Sequence, residues 1–348
     1  MSALSRRRIL FGGAAVGAGA LLTACTSNEP DNNAQVNTNT DASANPNAAA
    51  GAKVVIGFSA PAADHGWLAA ITNNAKAQAA AYQDVEFKAV ESGADAAAQR
   101  AAISTLVAQK PNVIVMLPAD GKELDAAGLE AMRAGIPVIN LDRAFPSRAA
   151  YRLQIKGDNY GMGLAAGHYI GEQLKAKNAA NPIIGEIPGI DSLELTQERS
   201  EGFKAALAQY GFKVANRRPA EFTADSGQAA ATALLQALPK MDALWNHDDD
   251  QGIGVLAAIK QTNRSEFFMV GGAGSKQAID AITKDDSVLK ATVTYSPSMA
   301  SSAISLARLI GQGKGMSDLV ELQVPTDITL TSETITKDNA AQYAKLGF

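Results

Sequence analysis

The chain alternates short β-branched runs with stretches of helical periodicity, and it does so in two successive series. Strands separated by helices return to a sheet as parallel neighbours, which restricts the fold to open parallel sheets flanked by helices. In the first series strands are expected at Val54–Ser59, Val85–Ser92, Val113–Leu117, Pro137–Leu141 and Leu153–Lys156. Helices are expected near 67–82, 95–109 and 121–134, with Pro111 and Gly135-Ile136-Pro137 marking helix ends. The second series places strands at Ile183–Ile187, Phe212–Val214, Ala243–Trp245, Phe267–Val270 and Leu289–Thr294. Its helices fall near 160–176, 196–209, 226–238, 250–261 and 275–283, followed by a helix near 298–312 and a strand at Ile328–Leu330. The architecture repeats, but no sequence repeat accompanies it. For a chain of 348 residues, at roughly 100–200 per domain, two domains are expected. The fold class is therefore α/β, two doubly wound parallel-sheet lobes with a cleft between them. Gly157-Asp158, Tyr295-Ser296-Pro297 and Pro325-Thr326-Asp327 are the expected crossovers of a three-segment hinge. They divide the chain into a first lobe of 53–157 plus 296–326 and a second of 158–295 plus 327–348.

The first 25 residues stand apart from this pattern as a targeting segment. Ser5-Arg6-Arg7-Arg8-Ile9-Leu10 resembles the twin-arginine export consensus, and an apolar run from Ile9 to Leu22 follows it. Leu22-Thr23-Ala24-Cys25 resembles a bacterial lipobox, in which the Cys25 thiol takes a diacylglycerol and cleavage precedes it. An ordinary signal peptide with an incidental cysteine is the alternative, against which stand the position and sole occurrence of Cys25. The protein is thus expected in the cell envelope, lipid-anchored to the outer face of the cytoplasmic membrane or periplasmic. A single cysteine excludes an internal disulfide framework and a cysteine-based zinc site. Residues 26–52, rich in Asn, Ala, Thr, Ser and Asp, read as a disordered linker between anchor and folded body. Beyond residue 25 no apolar run reaches the roughly 18–20 residues of a membrane span. The net charge is −4, and removing a leader with three arginines and no acid leaves the remainder more acidic. Nucleic acid is not an expected partner. The histidines at 65, 168 and 247 are too scattered to suggest a metal.

In open α/β sheets ligands bind beyond the carboxyl ends of the strands. The loop after the first expected strand carries Ser59, Asp64, His65 and Trp67. Asp142 and Arg143 follow the strand ending at Leu141. Glu198 and Arg199 open a helix, Phe222 lies in Glu221-Phe222-Thr223, and Asn246-His247-Asp248-Asp249-Asp250 follows Trp245. Gly271-Gly272-Ala273-Gly274-Ser275 and Tyr295 follow the last two strands of the second series. Carboxylates accept from adjacent hydroxyls, guanidinium donates through a rigid fork, and aromatic faces pack on C–H surfaces. Together they suit a polyhydroxyl ligand. Each element also has an ordinary structural reading: Trp67 as a core plug, Asp142-Arg143 as a surface ion pair, His247 to Asp250 as an acidic first helical turn. Arg199 could equally pair with Glu198 or Glu201 on a solvated helix. Their common location behind an export signal favours binding.

From Lys53 to Phe348 the chain resembles periplasmic sugar-binding proteins of the ribose and galactofuranose type, relatives of the lac-repressor core. The segments that carry the likeness are Gly57-Phe58-Ser59 with Gly66-Trp67, Pro137 to Arg143, Glu198 to Phe203, His247-Asp248-Asp249-Asp250 with Gly252-Ile253-Gly254, and Ala291 to Pro297. The resemblance implies a type I periplasmic binding protein that delivers a sugar to the permease of an ABC importer. It implies a monomer, with no cofactor, no metal and no catalysis. It assigns ring stacking to Trp67 and, on the opposite lobe, Phe222. The polar pair falls on Asp142 and Arg143, the second-lobe arginine on Arg199, the hydroxyl acceptor on Asp248, and the hinge-side polar group on Tyr295. Ser59, Asp64 and His65 take the polar positions of the first loop. One departure stands out: the family's Val-Gly-x-Asp-Gly turn reads Val270-Gly271-Gly272-Ala273-Gly274 here, so a carboxylate is missing. Three other readings remain open: a sensory protein that presents a sugar to a receptor, an enzyme using His247, Asp248 and Asp249, and a regulator, which would need a DNA-binding head.

Overall fold

A computed structural model describes residues 47, 49–90, 92–93, 95–316, 319 and 323–348, all within one compact unit. The leader, Cys25 and most of the expected linker lie outside the described residues.

The first series forms β1 (Val54–Ser59), α1 (Gly66–Ala80), β2 (Val85–Ala89), α2 (Ala96–Ala108), β3 (Val113–Met116), α3 (Gly121–Arg133), β4 (Val138–Leu141) and β5 (Leu153–Gly157). The second forms α4 (Asn159–Ala176), β6 (Ile184–Ile187), α5 (Glu194–Gln209), β7 (Val214–Arg217), α6 (Ala224–Ala237), β8 (Ala243–Asn246), α7 (Asp249–Gln261), β9 (Phe268–Ala273), α8 (Lys276–Lys284) and β10 (Leu289–Thr294). The chain closes with α9 (Met299–Gly311), β11 (Asp327–Leu330), β12 (Thr334–Thr336) and α10 (Ala340–Tyr343). Among the described residues there are two six-stranded sheets, ordered β11-β5-β4-β3-β1-β2 and β12-β10-β9-β8-β6-β7. The pairings are parallel except β10 with β12. Helices cover both faces, so central strands such as β3 (VIVM) are buried along their whole length and read as continuous apolar runs.

Two of the three crossovers lie where the sequence places them: β5 leads into α4 after Gly157, and β10 leads into α9 through Tyr295. At Gly157 a side chain would begin 2.1 Å from Cε2 of Tyr295, so this glycine admits the tyrosine ring onto the backbone of the first crossover. The third crossover corrects the sequence reading. Asp327–Leu330 belongs to the first sheet, paired with β5 from Gln154 to Gly157. The chain passes to the other sheet only after Leu330. Pro325 marks the start of an edge strand, where a missing N–H is tolerated, rather than a lobe boundary. Edge strands account for two further shifts. β2 stops at Ala89, short of Ser92, and β7 lies at Val214–Arg217, beyond the expected Phe212–Val214, because its half-exposed residues give no apolar run.

The described end of the expected linker, Asn47 and residues 49–52, is fastened to the first lobe. The Arg308 guanidinium, 2% exposed, donates Nε to Asp84 Oδ1 at 2.7 Å and Nη2 to Asp84 Oδ2 at 2.6 Å. It also donates to the carbonyls of Asn47 and, at 2.6 Å, Ala49. Asp84 Oδ2 accepts the Gly51 N–H at 2.5 Å, and Gln312 Nε2 reaches both Asp84 and the Ala52 carbonyl. The Arg308 hydrogen bonds hold the Asp84 carboxyl well below the usual carboxylate range. The second lobe has its own buried ionic group. Glu186 on β6 accepts the Ser200 hydroxyl at 2.5 Å and lies 3.1 Å from His247 Nε2, with Arg217 Nε 3.7 Å away. Burial alone would raise Glu186, but the His247 and Ser200 hydrogen bonds and the Arg217 charge bring it below its ordinary value. Burial pushes His247 down to about 4.

Two outcomes are expected. Replacing Arg308 with Ala strands the Asp84 carboxylate, and urea unfolding should show a loss of about 3–5 kcal/mol. Because His247 titrates near 4 in the fold and near 6.5 unfolded, the unfolded chain binds the proton first on acidification. Its contribution is complete above pH 6.5 and is lost as pH falls towards 4, with a slope of up to about 1.4 kcal/mol per pH unit. Asp249, pushed up to about 7 by burial, acts with the opposite sign in the same range. The readout is therefore the difference between wild type and His247→Gln, whose melting temperature should fall less steeply between pH 6.5 and 4.

Candidate functional site

The carboxyl ends of both sheets face a cleft with about 340 Å3 of empty space, part of it open to solvent. His65, Trp67, Asp142 and Arg143 line it from the first lobe. Leu195, Arg199, Phe222, Asp248 and Ala273 line it from the second, and Tyr295 closes its base at the second crossover.

On the first lobe, Asn140 in β4 sets the corner after the strand. Its amide donates to the Arg143 carbonyl at 3.1 Å, and its Oδ1 accepts from Phe145 N and Gln154 Nε2. The backbone of Asp142 is left-handed, with φ of 61°. Its Oδ1 accepts the Tyr295 hydroxyl, and burial with the adjacent Asp142 carboxylate raises the tyrosine far above its ordinary value, so the phenol stays a donor. Arg143 donates Nη1 to the Ala119 carbonyl at 2.5 Å. Its buried Nε has no hydrogen-bond partner among the described residues and lies 3.9 Å from Asp142 Oδ2. Burial lowers the arginine from its ordinary value, and Asp142 opposes that shift. Trp67 is 5% exposed. Its indole N–H donates to the Tyr295 carbonyl at 2.9 Å, and the rings lie 5.8 Å apart. With its polar edge occupied, the indole offers the cleft an apolar face.

On the second lobe, Arg199 donates Nε to Asn159 Oδ1 at 2.9 Å and Nη1 to the His247 carbonyl at 3.4 Å. Its guanidinium lies 4.4 Å from the Tyr295 ring centroid. Phe222, also left-handed at φ 63°, is fixed by its N–H to Gln251 Oε1 at 3.0 Å and packs with Leu193 and Leu195. Its ring is 6.2 Å from His65 across the cleft.

Three consecutive aspartates at the amino end of α7 serve three different places. Asp248 is the N-cap; Oδ1 accepts the Gln251 N–H at 3.0 Å, and the carboxyl group lines the cleft. Burial, then the Asp250 charge, raise it well above its ordinary value. Asp249 turns into its own lobe, where Oδ1 accepts Gly272 N at 2.9 Å and Oδ2 accepts Gly274 N and Ser275 N at 2.9 and 2.8 Å. Thr292 adds a hydroxyl at 3.0 Å. Asp250 reaches the opposite lobe, 2.8 Å from Trp67 N. The bonds of Asp249 flank Ala273, which is held at φ 94° and lines the cleft. Asp142, Phe222 and Ala273 are thus three non-glycine residues in a strained backbone region, all at one site.

Eight of the ten sequence candidates line this cleft: His65, Trp67, Asp142, Arg143, Arg199, Phe222, Asp248 and Tyr295. Ser59 and Asp64 do not. Ser59 is fully buried, and its hydroxyl accepts Gln99 Nε2 from α2 at 3.1 Å; that same amide bonds the Leu117 carbonyl. As the last residue of a strand it packs under a helix instead of facing the ligand side. Asp64 is an exposed rim residue that pairs with His65 Nδ1. Sequence reasoning missed Asn140, Asn159 and Gln251, which shape the site through hydrogen bonds and look like ordinary element residues. A second cavity of about 430 Å3 shares Asp142 and Arg143 and is walled by Lys122, Lys156, Glu194 and Glu198. Among the described residues no group of three or more His, Cys, Asp or Glu is placed to hold a metal.

A family model described as periplasmic binding protein domain matches residues 56–315. The ribose import binding protein RbsB of Escherichia coli K12 is 29% identical over 235 residues, 67% of this chain and 76% of that protein. The galactofuranose-binding protein YtfQ of the same organism is 25% identical over 292 residues, 82% of this chain and 88% of that protein. Among solved structures, an ABC transporter solute binding protein from Mycobacterium smegmatis with bound glycerol matches with a TM-score of 0.75 at 25% identity, covering 85% of this chain and 98% of that one. The arabinose-binding component from Shewanella sp. ANA-3, at 24% identity and a TM-score of 0.73, shares the fold over 84% of this chain and 94% of its own. With most of the chain matched and both sheets built in the same alternating order, the chain belongs to the periplasmic binding protein family, in its two-lobed type I form.

Proposed function

We propose that the protein is an extracytoplasmic solute-binding lipoprotein of an ABC importer, holding one monosaccharide or similar polyhydroxyl molecule in the cleft. The observation that carries this is the composition of the two walls. Asp142 and Asp248 offer acceptors, Arg143 and Arg199 offer guanidinium donors, and Trp67 and Phe222 offer apolar faces from opposite lobes. A sugar presents both kinds of surface at once. Binding needs no chemical step. The relatives RbsB and YtfQ are named for ribose and galactofuranose, and at position 273 the lining of this cleft is an alanine rather than a hydroxyl acceptor. That position suits a C–H or deoxy carbon better than a hydroxyl, because an unmet hydroxyl in a buried site costs roughly 1–3 kcal/mol. The three crossovers act as a hinge, the lobes close on the sugar, and the permease recognises the closed form. The lipid on Cys25 keeps the protein at the membrane.

A thermal-shift screen over pentoses, hexoses, furanose forms, deoxy sugars and polyols tests this. A micromolar ligand (about −8 kcal/mol) at a hundredfold excess over Kd should stabilise the fold by about 2.7 kcal/mol. Titration calorimetry should show Arg199→Ala weakening that ligand by roughly 10–100-fold, the loss of charged hydrogen bonds, while Ser59→Ala binds as wild type. If no sugar or polyol raises the melting temperature, or the bound sugar is recovered chemically altered, the proposal fails. Replacing Cys25 with Ser should move the protein from the membrane fraction to the soluble one.

A further inference from the structure

Helix α1 begins without a cap of its own. His65 stands at the N-cap position with extended backbone, its side chain caps nothing, and the first turn holds no acidic residue. The first N–H groups of a helix need acceptors, and the helix dipole favours a negative charge there. Both are supplied from the other lobe. Asp250 of α7 sets Oδ2 2.8 Å from Trp67 N. Its Oδ1 occupies the space beside residue 66, where a side chain would begin 2.6 Å from that oxygen. Gly66 is what lets the carboxylate reach the backbone. Neighbouring Asp248 and Asp249 cannot substitute, since one caps α7 at the cleft and the other holds the β9–α8 turn.

Asp250 therefore touches the peptide that bears the cleft's indole. The same tryptophan is held a second time through Nε1 by the Tyr295 carbonyl. We infer that Asp250 is a positioning residue, a cap lent across the cleft, which makes the seating of Trp67 and the closing of the lobes a single event. This rests on the hinge-closing reading above. When the lobes part, the α1 N–H groups turn to water and the Trp67 peptide loses its fixed partner. When they meet, the bond that shuts the mouth of the cleft also sets its aromatic wall. The bond forms only in the closed state, so its loss accelerates ligand release and leaves capture unchanged.

The experiment uses the full-length protein with D-ribose, L-arabinose and D-galactose as probes. Stopped-flow fluorescence reads Trp67, because the only other tryptophan, Trp245, is wholly buried. Small-angle scattering reads closure. For Asp250→Ala the expected result is dissociation about tenfold faster, association within about twofold of wild type, and an unchanged melting temperature without sugar. Asp250→Asn keeps one acceptor oxygen but no charge and should fall between the two. If wild type contracts on sugar and Asp250→Ala releases it at the wild-type rate, the cap is overturned and the sugar-binding proposal stands. If Asp250→Ala lowers the melting temperature equally with and without sugar, the role is merely structural and the inference is overturned. If wild type neither contracts nor changes fluorescence with any of the three, closure on these sugars and the cap that depends on it both fall.

Discussion

At the second crossover, one residue is bonded to every wall of the cleft. The Tyr295 hydroxyl donates to Asp142 of the first lobe, and its carbonyl accepts the indole N–H of Trp67. Its own N–H donates to the Ala273 carbonyl at 2.9 Å. Arg199 lies over its ring, and Gly157 of the first crossover lies beneath it. Buried phenol and buried carboxylate each answer the other's need for a partner, a need that grows as water is excluded. Trp67 and Tyr295 also join the buried cluster that runs from one sheet to the other. The arrangement of the cleft depends on Tyr295, because the Asp142 carboxylate, the Trp67 indole and the Arg199 guanidinium are all located by reference to it.

Around that centre, positions are fixed by paired functions rather than by bulk packing. Asp142, Phe222 and Ala273 all occupy the left-handed region, Asp142 and Ala273 at strand ends and Phe222 just before α6, where the chain must turn. Each has a dedicated brace: Asn140 for the Asp142-Arg143 corner, Gln251 for Phe222, and Asp249 for the turn around Ala273. Strained backbone persists where its surroundings over-determine it. The braces are fully satisfied polar groups, which is how a buried network stays rigid without an apolar substitute.

Much of this was legible in the primary structure, and what was not has identifiable causes. Central strands such as Val113–Met116 announce themselves because burial on both faces writes an unbroken apolar run. Edge strands carry no such signature: β7 (VANR) and β12 (TIT) are too polar or too short, and Pro325 before β11 imitates a boundary. Charged and aromatic residues near strand ends pointed to the cleft, which eight of the candidates line. Ser59 failed because a small polar residue at a strand end serves equally well as a hydrogen-bond partner for the helix above it. Gln251 and Asn140 were invisible because a brace acts through a geometry that only the folded chain supplies. Aspartates 248, 249 and 250 are the clearest case. As letters they are one acidic turn; the extended N-cap backbone of Asp248 and the helical rotation of about 100° between Asp249 and Asp250 send them to three destinations.

The clamp of Arg308 on Asp84 and on the carbonyls of Asn47 and Ala49 has a mechanical side. It grips the chain beside the starts of β1 and β2, at the end of the first sheet remote from the cleft. A pull arriving along the backbone from that direction is absorbed by a buried guanidinium braced on one lobe. The Arg308 clamp thus ties the segment before β1 to the framework of the first sheet, away from the strand ends that face the cleft.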